Sequence, residues 1–565
     1  MTSTYGDSIS DTEPVAGDSG QLSHPDLAAH SDRLIERFYA CGENAWSYVG
    51  NGLSNQTFIR GPEGIIAIDT GECIEEMQSA LAQLRAVTDE PVVACIYTHF
   101  HYINGTRAIL EESGRESLPI YGHAGIAANL MRFGGEVAPR STRGLVRQFA
   151  IGMPEKGEDG QVNVGLGRFF RNPGHSPYTS GYLPVTDAIN EPCTMTIAGL
   201  EVEMTPAPSD ATDSITIWFP ELGVCVNNLV WPALFNVFAI RGEEYRDPRV
   251  LLKGLDHLAG LPADHLLGAH GPPLSGRADI AGVIEDYGDS IRFMWDQTVR
   301  GINRGLSLDE LAASIRLPQR FTRTYFTRQF YGVVEHHVRQ IHAGLFGWFD
   351  EDDAHLFPLA PHDRAARMIE GFGGIERVRH LADTACYRKD YRWAIELTGW
   401  LVRTESAQED RNRLATALRG VGQHSTSANV RNWCITRALE LEGAVDLERF
   451  RQHRFGYREV LAAPATAFVP VLRVLLDPDR ASGIDMELGI AFDSGEQAGL
   501  RIRGQVAIPT TGDGADATMR LDHDCWAKLL SKQITPAQAV DEKLIAVDGD
   551  ADTVKEFLAA FDVFN

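Results

Sequence analysis

A chain of 565 residues is long enough for about three domains, each with a sizeable core, and its 77 acidic residues against 52 basic ones give a formal charge of -25. So acidic a balance excludes nucleic acids and anionic membrane surfaces as partners, because both recruit positive charge. Eight scattered cysteines with no C-x-x-C pair fit a reducing, cytoplasmic setting better than a disulfide framework.

The first thirty residues are rich in Ser, Asp and Gly and read as a disordered tail, lacking both the basic start and the apolar core of a secretory signal. No apolar stretch is long enough to span a bilayer, so a soluble protein is expected. From Ser47 the segments SYVG, QTFIRG and GIIAIDTG read as neighbouring strands joined by tight turns. Ile65–Ile68 is a short buried strand with Asp69 at its tip, where a carboxylate either caps the turn or belongs to a site. Glu72–Val87 carries Met77, Leu81 and Leu84 at helical spacing and leads into Pro91–Thr106, PVVACIYTHFHYINGT. There a β-branched run ends in Thr-His-x-His before a helical segment, Thr106–Glu112. Strand, helix and strand in that order predict a βαβ unit. Alternation along the extended chain turns His99 and His101 to one side, so both imidazoles can reach one ion. An isolated His-x-His is more often satisfied by ordinary hydrogen bonds, so the rest of the chain has to decide.

The stretch GQVNVGLGR (Gly160–Arg168) is a weak match to a phosphate loop and reads as an ordered loop over the site. Met195–Pro206 predicts two strands ending before the acidic loop SDATDS. Ser214–Phe219 and Gly223–Val226 predict two more, the second running into Asn227 and Asn228, and Leu266–His270 is an apolar run ending in HGPP. Asp69, His99 with His101, Ser209 with Asp210, Asn228 and His270 therefore all fall where a strand ends. Strand tips on one sheet edge converge in space, which is the best argument from the residues for one shared site.

From Ala278 the pattern is helical. Ser307 and Glu310 form a capping box, Pro318 closes the helix it opens, and Tyr387–Leu401 resembles a degenerate tetratricopeptide helix pair. From about Phe450, strand-like ELGIAFD, LRIRGQVAI and ATMRLD precede amphipathic helices at Asp524–Leu530, Pro536–Asp541 and Thr553–Phe561, a small α+β domain. The expected organisation is a tail over 1–30, an α/β domain over 31–277, a helical domain over 278–445 and an α+β domain over 446–565.

The ordered series LSNQTFIRG, YTHFHYINGT, GQVNVGLG, TPAPSD, NVFAIRG, WDQTVRGINRGLSLDELAASIRLP, DYRWAIEL and KLLSKQITPAQAVDEKLIAVDGD resembles the alkylsulfatase family of the metallo-β-lactamase superfamily. The resemblance covers about residues 31 to 565. It implies an αββα sandwich, a helical dimerisation domain and a sterol-carrier-like C-terminal domain that receives alkyl chains. It also implies sulfate-ester hydrolysis at two zinc ions. His99, His101 and His270 match the family's metal ligands. Ile103 and Asn104 stand where the family has Asp and His, Ser209 stands where it has Glu, and Asn228 stands at the bridging Glu. Asn236 and Arg241 match residues that the family places near the sulfate.

Ile103 cannot ligate, and Asn is a poor zinc ligand, so the second metal is expected to be lost. What remains is His99, His101 and Asp210, with Asp213 as the poorer substitute, and the retained His270 is counted with them as a metal residue, holding one divalent metal: zinc, or alternatively iron. Asn104 and Asn228 are placed in the catalytic site, and Asn236 and Arg241 against the substrate. The expectation is a one-metal hydrolase of a sulfate or related ester with an alkyl chain, cytoplasmic and homodimeric. The alternatives are a repurposed enzyme performing a redox, lyase or rearrangement step, and a catalytically silent binding protein. His123 and His175 are expected to be surface or loop histidines.

Overall fold

The computed structural model describes residues 9–565. Seven strands, β1 (Arg37–Ala40), β2 (Ala45–Val49), β3 (Gln56–Gly61), β4 (Gly64–Ile68), β5 (Val92–Ile96), β6 (Ile120–His123) and β7 (Asp187–Ile189), pair in chain order. They are antiparallel as far as β4 and parallel from β4 to β7. A second sheet of β8 (Cys193–Ile197), β9 (Leu200–Pro206), β10 (Ile215–Phe219), β11 (Val224–Asn227), β12 (His265–Gly268) and β13 (Leu274–Ser275) also follows chain order, with β11 and β12 parallel. Helix α1 (Ile74–Arg85) crosses from β4 to β5, and α2 (Arg107–Ser113) follows β5. Helix α3 (Pro248–Ala259) crosses from β11 to β12, and α4 (Arg277–Ile302) follows β13.

Strand alternation explains the layering. Ile215, Ile217, Phe219, Val224, Val226 and Leu267 of the second sheet meet Ile66, Ile68, Ala94 and Ile96 of the first in one buried cluster. Their neighbours Trp218, Cys225 and Leu266 point the other way and pack with Leu251, Leu255, Ile280, Ile284 and Tyr287 of α3 and α4. Met77, Ala80, Leu81 and Leu84 bury the inner stripe of α1. The order is helix, sheet, sheet, helix. Parallel pairing of β4 with β5 and of β11 with β12 puts the C-terminal tips of each pair at one edge, and Asp69, His99 and Asn228 follow three of those tips.

Residues 9–127 and 144–446 form one compact unit, and residues 128–143 with 447–565 form another. The helical part of the first unit opens on Leu308–Ser314 with the expected capping box. Leu397, Trp400 and Leu401 of Tyr391–Thr404 pack with Val378 and Ala382 of Ile375–Tyr387, so the aromatic and leucine stripes there are core. The disordered tail is corrected: residues 1–8 lie outside the described residues, but 9–30 are folded. Val15–Ala16 pairs with Leu22–Ser23, the helix Pro25–His30 buries Leu27 and His30, and the Arg431 guanidinium holds the Leu22 carbonyl. Composition missed this because one leucine, one buried histidine and one buried arginine suffice to fix a polar segment.

In the second unit, strands β14 (Met486–Phe492), β15 (Gln497–Arg503), β16 (Val506–Thr510), β17 (Ala517–Leu521) and β18 (Ala546–Asp548) form a sheet in the order β16-β15-β14-β17-β18. Leu488, Ile490, Ile502 and Met519 pack with Trp526, Leu530, Phe557 and Leu558, and Met131 of the 128–143 segment joins that core. Among the described residues no helix is long and apolar enough to cross a membrane.

Two buried histidines set an acid limit on the first unit. His30 stacks on Phe330 at 4.2 Å and lies 2.7 Å from the Gly165 carbonyl through Nε2, and burial lowers its pKa to about 4. Burial, with His336 adjacent, lowers that of His337 to about 3. Both rings are neutral in the native state, so between about pH 6.5 and about pH 4 the unfolded chain binds more protons. Stability is full above that window and falls as pH is lowered through it, by about 3 kcal/mol for His30. Denaturant midpoints measured across the window should decline, and a flat profile would contradict the neutral assignment.

Candidate functional site

The turn after β4 holds Asp69 in the left-handed region at φ 56, rare for a residue with a side chain. Its carboxylate accepts from the Thr98 amide at 2.8 Å and from Thr98 Oγ1 at 2.6 Å, so it clamps the tip of β5 to the tip of β4. Burial raises the Asp69 carboxyl to about 7, against the opposing pull of Thr98. Since Thr98 Oγ1 gives its proton to Asp69, it accepts from His99 Nδ1 at 2.8 Å. That fixes the tautomer and leaves the Nε2 lone pair free. Burial keeps the His99 ring neutral, with its pKa lowered to about 3. Thr98→Val should therefore loosen the ring and lower metal affinity and turnover about 10–100-fold, read by metal titration and by rate.

The His99 and His101 rings stand perpendicular with centroids 4.9 Å apart. Asp210 Oδ2 lies 3.2 Å from His101 Nδ1, and Oδ1 lies 3.9 Å from His99 Nε2. One donor atom from each of the three residues lies within 4.8 Å of the others. The Ser209–Ser214 turn aims Asp210 inward: the Ser209 and Ser214 amides both donate to the Ala211 carbonyl, and Ser209 Oγ donates to Ser214 Oγ at 2.8 Å. Burial opposes the Asp210 charge, but His99 and His101 outweigh it and hold the carboxyl well below the usual carboxylate range. Two imidazoles and one carboxylate, brought together in this way, fit one divalent ion with open positions. Asp213 is buried but is not one of the three.

Asn228 is brought to this group. Its Nδ2 lies 2.7 Å from Asp210 Oδ1 and 2.9 Å from Ser209 Oγ, and sits over the His99 ring at 3.3 and 3.4 Å from its nitrogens. Trp231 Nε1, which can only donate, lies 3.0 Å from Asn228 Oδ1. The amide oxygen is thus committed to Trp231, and Asn228 presents a donor rather than a ligand.

Two expectations need correcting. Asn104 is not in the group: Ile103 is fully buried and bridges to Gly71, which turns Asn104 the other way, where its amide oxygen accepts from Ser180 Oγ at 3.1 Å. His270 is outside it too. Its Nδ1 lies 2.9 Å from the Leu53 carbonyl, and its Nε2 faces the Tyr102 hydroxyl at 3.3 Å. Tyr102 stands between the two rings, 5.0 Å from His99 and 5.3 Å from His270 by centroid.

The Asn236–Arg246 loop carries two buried arginines in different states. Burial weighs against the charge of Arg241, but Glu243 Oε1, 2.6 Å from Nε, outweighs it. The Tyr331 hydroxyl is 3.4 Å from its Nη1, and Gln148 Oε1 accepts from its amide. Arg246 donates Nη1 to the Asn236 carbonyl at 2.8 Å and also to its amide oxygen, while its Nε and Nη2 and the Asn236 Nδ2 are buried without partners. Burial lowers the pKa of Arg246, and its charge acts on Asp210 and His99. Three donor nitrogens facing no acceptor make a pocket suited to an anion. Sequence reasoning missed Thr98, Tyr102, Trp231, Glu243 and Arg246. Thr98 lies inside the motif and Arg246 five residues past Arg241, but only the fold shows that Arg241 is the one paired directly with Glu243.

The family model described as alkyl sulfatase dimerisation matches residues 307–444, and that for the alkyl sulfatase C-terminal domain matches 458–565. A linear primary-alkylsulfatase from a Pseudomonas species is 33% identical over 524 residues, covering 89% of this chain and 98% of the relative. The chain belongs to the alkylsulfatase family. Among other family members, an (R)-specific secondary-alkylsulfatase from Pseudomonas is 27% identical over 91% of this chain and 79% of its own length, and a yeast (Saccharomyces cerevisiae) alkyl/aryl-sulfatase is 26% identical over 94% and 83%. The structure of a stereoselective inverting sec-alkylsulfatase from Pseudomonas superposes with a TM-score of 0.86, at 24% identity over 98% of this chain and 92% of that one. The fold expected from the sequence is thus the alkylsulfatase fold, with its metallo-β-lactamase-like sandwich, and the chain is a hydrolase of that family.

Proposed function

We propose that this chain hydrolyses sulfate esters of alkyl alcohols, water cleaving R–O–SO₃⁻ to the alcohol and hydrogen sulfate, with a single divalent ion, zinc, held by His99, His101 and Asp210. The observation that carries the reading is that Arg246, with Nε and Nη2 buried and unmatched, acts by its charge on the same donor group. A bound ion supplies Lewis-acid polarisation of an ester oxygen. The rest is the work of the chain's own residues. Arg246 Nε and Nη2 with Asn236 Nδ2 bind the sulfonate oxygens, while Arg241, already neutralised by Glu243, holds the pocket's shape through Tyr331 and Gln148. Asn228 donates to Asp210 and keeps its carboxylate turned inward. Tyr102 and Trp231 exclude water on the His270 side.

In the same reading, residues 307–444 hold two copies together as a homodimer, residues 446–565 act as a sterol-carrier-like module and the protein works in the cytoplasm. Incubation with dodecyl sulfate, with sulfate quantified by ion chromatography, tests the activity. Sulfate release that chelation abolishes and zinc restores is expected. No release at any alkyl chain length would overturn the reading, and rescue by ferrous ion instead of zinc would shift it to a repurposed iron enzyme.

A further inference from the structure

We infer that Cys73, Glu76 and His175 form a second cation site, separate from the His99 group and of the thiolate, carboxylate and imidazole type suited to zinc. Cys73 is the residue before the first turn of α1, and Glu76 is the third helical residue, so one helix start presents both. His175 arrives on the single 3₁₀ turn Pro173–His175, which Asn172 caps and anchors by donating to the Asn51 carbonyl. The following loop is clasped to α1 as well. Thr179 donates to Glu75 through its amide and its hydroxyl at 2.8 and 2.7 Å, and its carbonyl accepts from the Ile74 amide at 2.9 Å.

One donor atom from each of the three residues lies within 4.8 Å of the others, and the side chains are deeply buried at 1%, 1% and 7% exposure. His175 Nδ1 is buried without a hydrogen-bond partner. Glu76 is oriented by Gln56 Nε2 at 2.8 Å and by the Glu72 amide at 3.1 Å, the outer support that ligating carboxylates receive in metal sites. A Cβ on Gly52 or Gly71 would fall 2.4 or 2.5 Å from the Glu76 carboxyl group, so both glycines leave it room.

Charge points the same way. Cys73 and Glu76 are both buried, and a divalent ion would stabilise the thiolate and the carboxylate together and balance their two charges. Sulfur in the donor set favours zinc over magnesium or calcium, and three ligands leave a fourth position open. Such an ion would pin the 172–181 loop, and with it Ser180 and Gly181 that hold Asn104, to the start of α1.

Cobalt(II) titration of the chelator-stripped full-length protein tests this. The His99 group contains no sulfur, so a thiolate-to-cobalt charge-transfer band in the near ultraviolet would report Cys73. Wild type should bind a second equivalent that carries the band, and His99→Ala should keep the band. Cys73→Ser should lose both the band and that equivalent, and His175→Gln should weaken that equivalent at least tenfold. A wild type without the band, a band that persists in Cys73→Ser, or a band lost in His99→Ala would each overturn the assignment. If Cys73→Ser does not fold, a band whose affinity His175→Gln leaves unchanged overturns it equally.

Discussion

Asp210→Asn is expected to release the divalent ion from His99 and His101 and to lower kcat/KM for dodecyl sulfate about a thousandfold, the several kcal/mol that a Lewis acid contributes to the transition state. Asp210 is the only anionic donor of the three and is held ionised by both imidazoles. The amide has the same shape but no charge. Asn228 Nδ2, 2.7 Å away, selects its oxygen, so its NH₂ turns toward His101. The ion then meets two rings and an N–H donor. Metal analysis should show one equivalent lost per chain, with the cobalt–thiolate band of Cys73 intact. Thermal stability should change little, because the substitution also removes a buried charge. Full metal retention with full activity would eliminate Asp210 and would move attention to Asp213.

How far the site could be read from sequence follows from the range of the signals. Alternation is local, and it placed β5 and the strand tips within a residue or two, whereas His99 and His101 lie past Ile96 in the turn that follows, and that turn rather than an extended chain brings their rings together. Asp210 was readable as the carboxylate next to the Ser209 that replaces a glutamate, and the turn formed by Ser209, Ala211 and Ser214 is short enough to deliver it. Asn104 was misplaced because a motif fixes spacing along the chain. Burial of Ile103 against Gly71 redirected its neighbour. His270 was misplaced for a longer-range reason, since the tyrosine facing it is 168 residues away in sequence. The same limit hid the Cys73, Glu76 and His175 cluster, whose members lie in a helix start and a loop a hundred residues apart. The order of residues 9–30 rests on Arg431, which no composition window over the N-terminus contains.

Arg246→Met should separate binding from folding, because the two arginines of this loop carry opposite charge balances. Arg246 is buried with Nε and Nη2 unmatched, and Met replaces its aliphatic length without the charge. Loss of two charge-assisted hydrogen bonds to a sulfonate, about 1.5–3 kcal/mol each, should lower kcat/KM for dodecyl sulfate on the order of 100–1000-fold. Most of that loss should appear in KM, while the melting temperature holds or rises, since an unmatched buried cation opposes folding. Arg241→Met should do the reverse to stability. It strands Glu243, whose side chain is 7% exposed, and should cost about 3–5 kcal/mol. A chain in which Arg246→Met melts early with an unchanged KM would make Arg246 a strut for the Asn236 loop. The anion would then have to displace Glu243 from Arg241, and Glu243→Gln would be the substitution that tightens substrate binding.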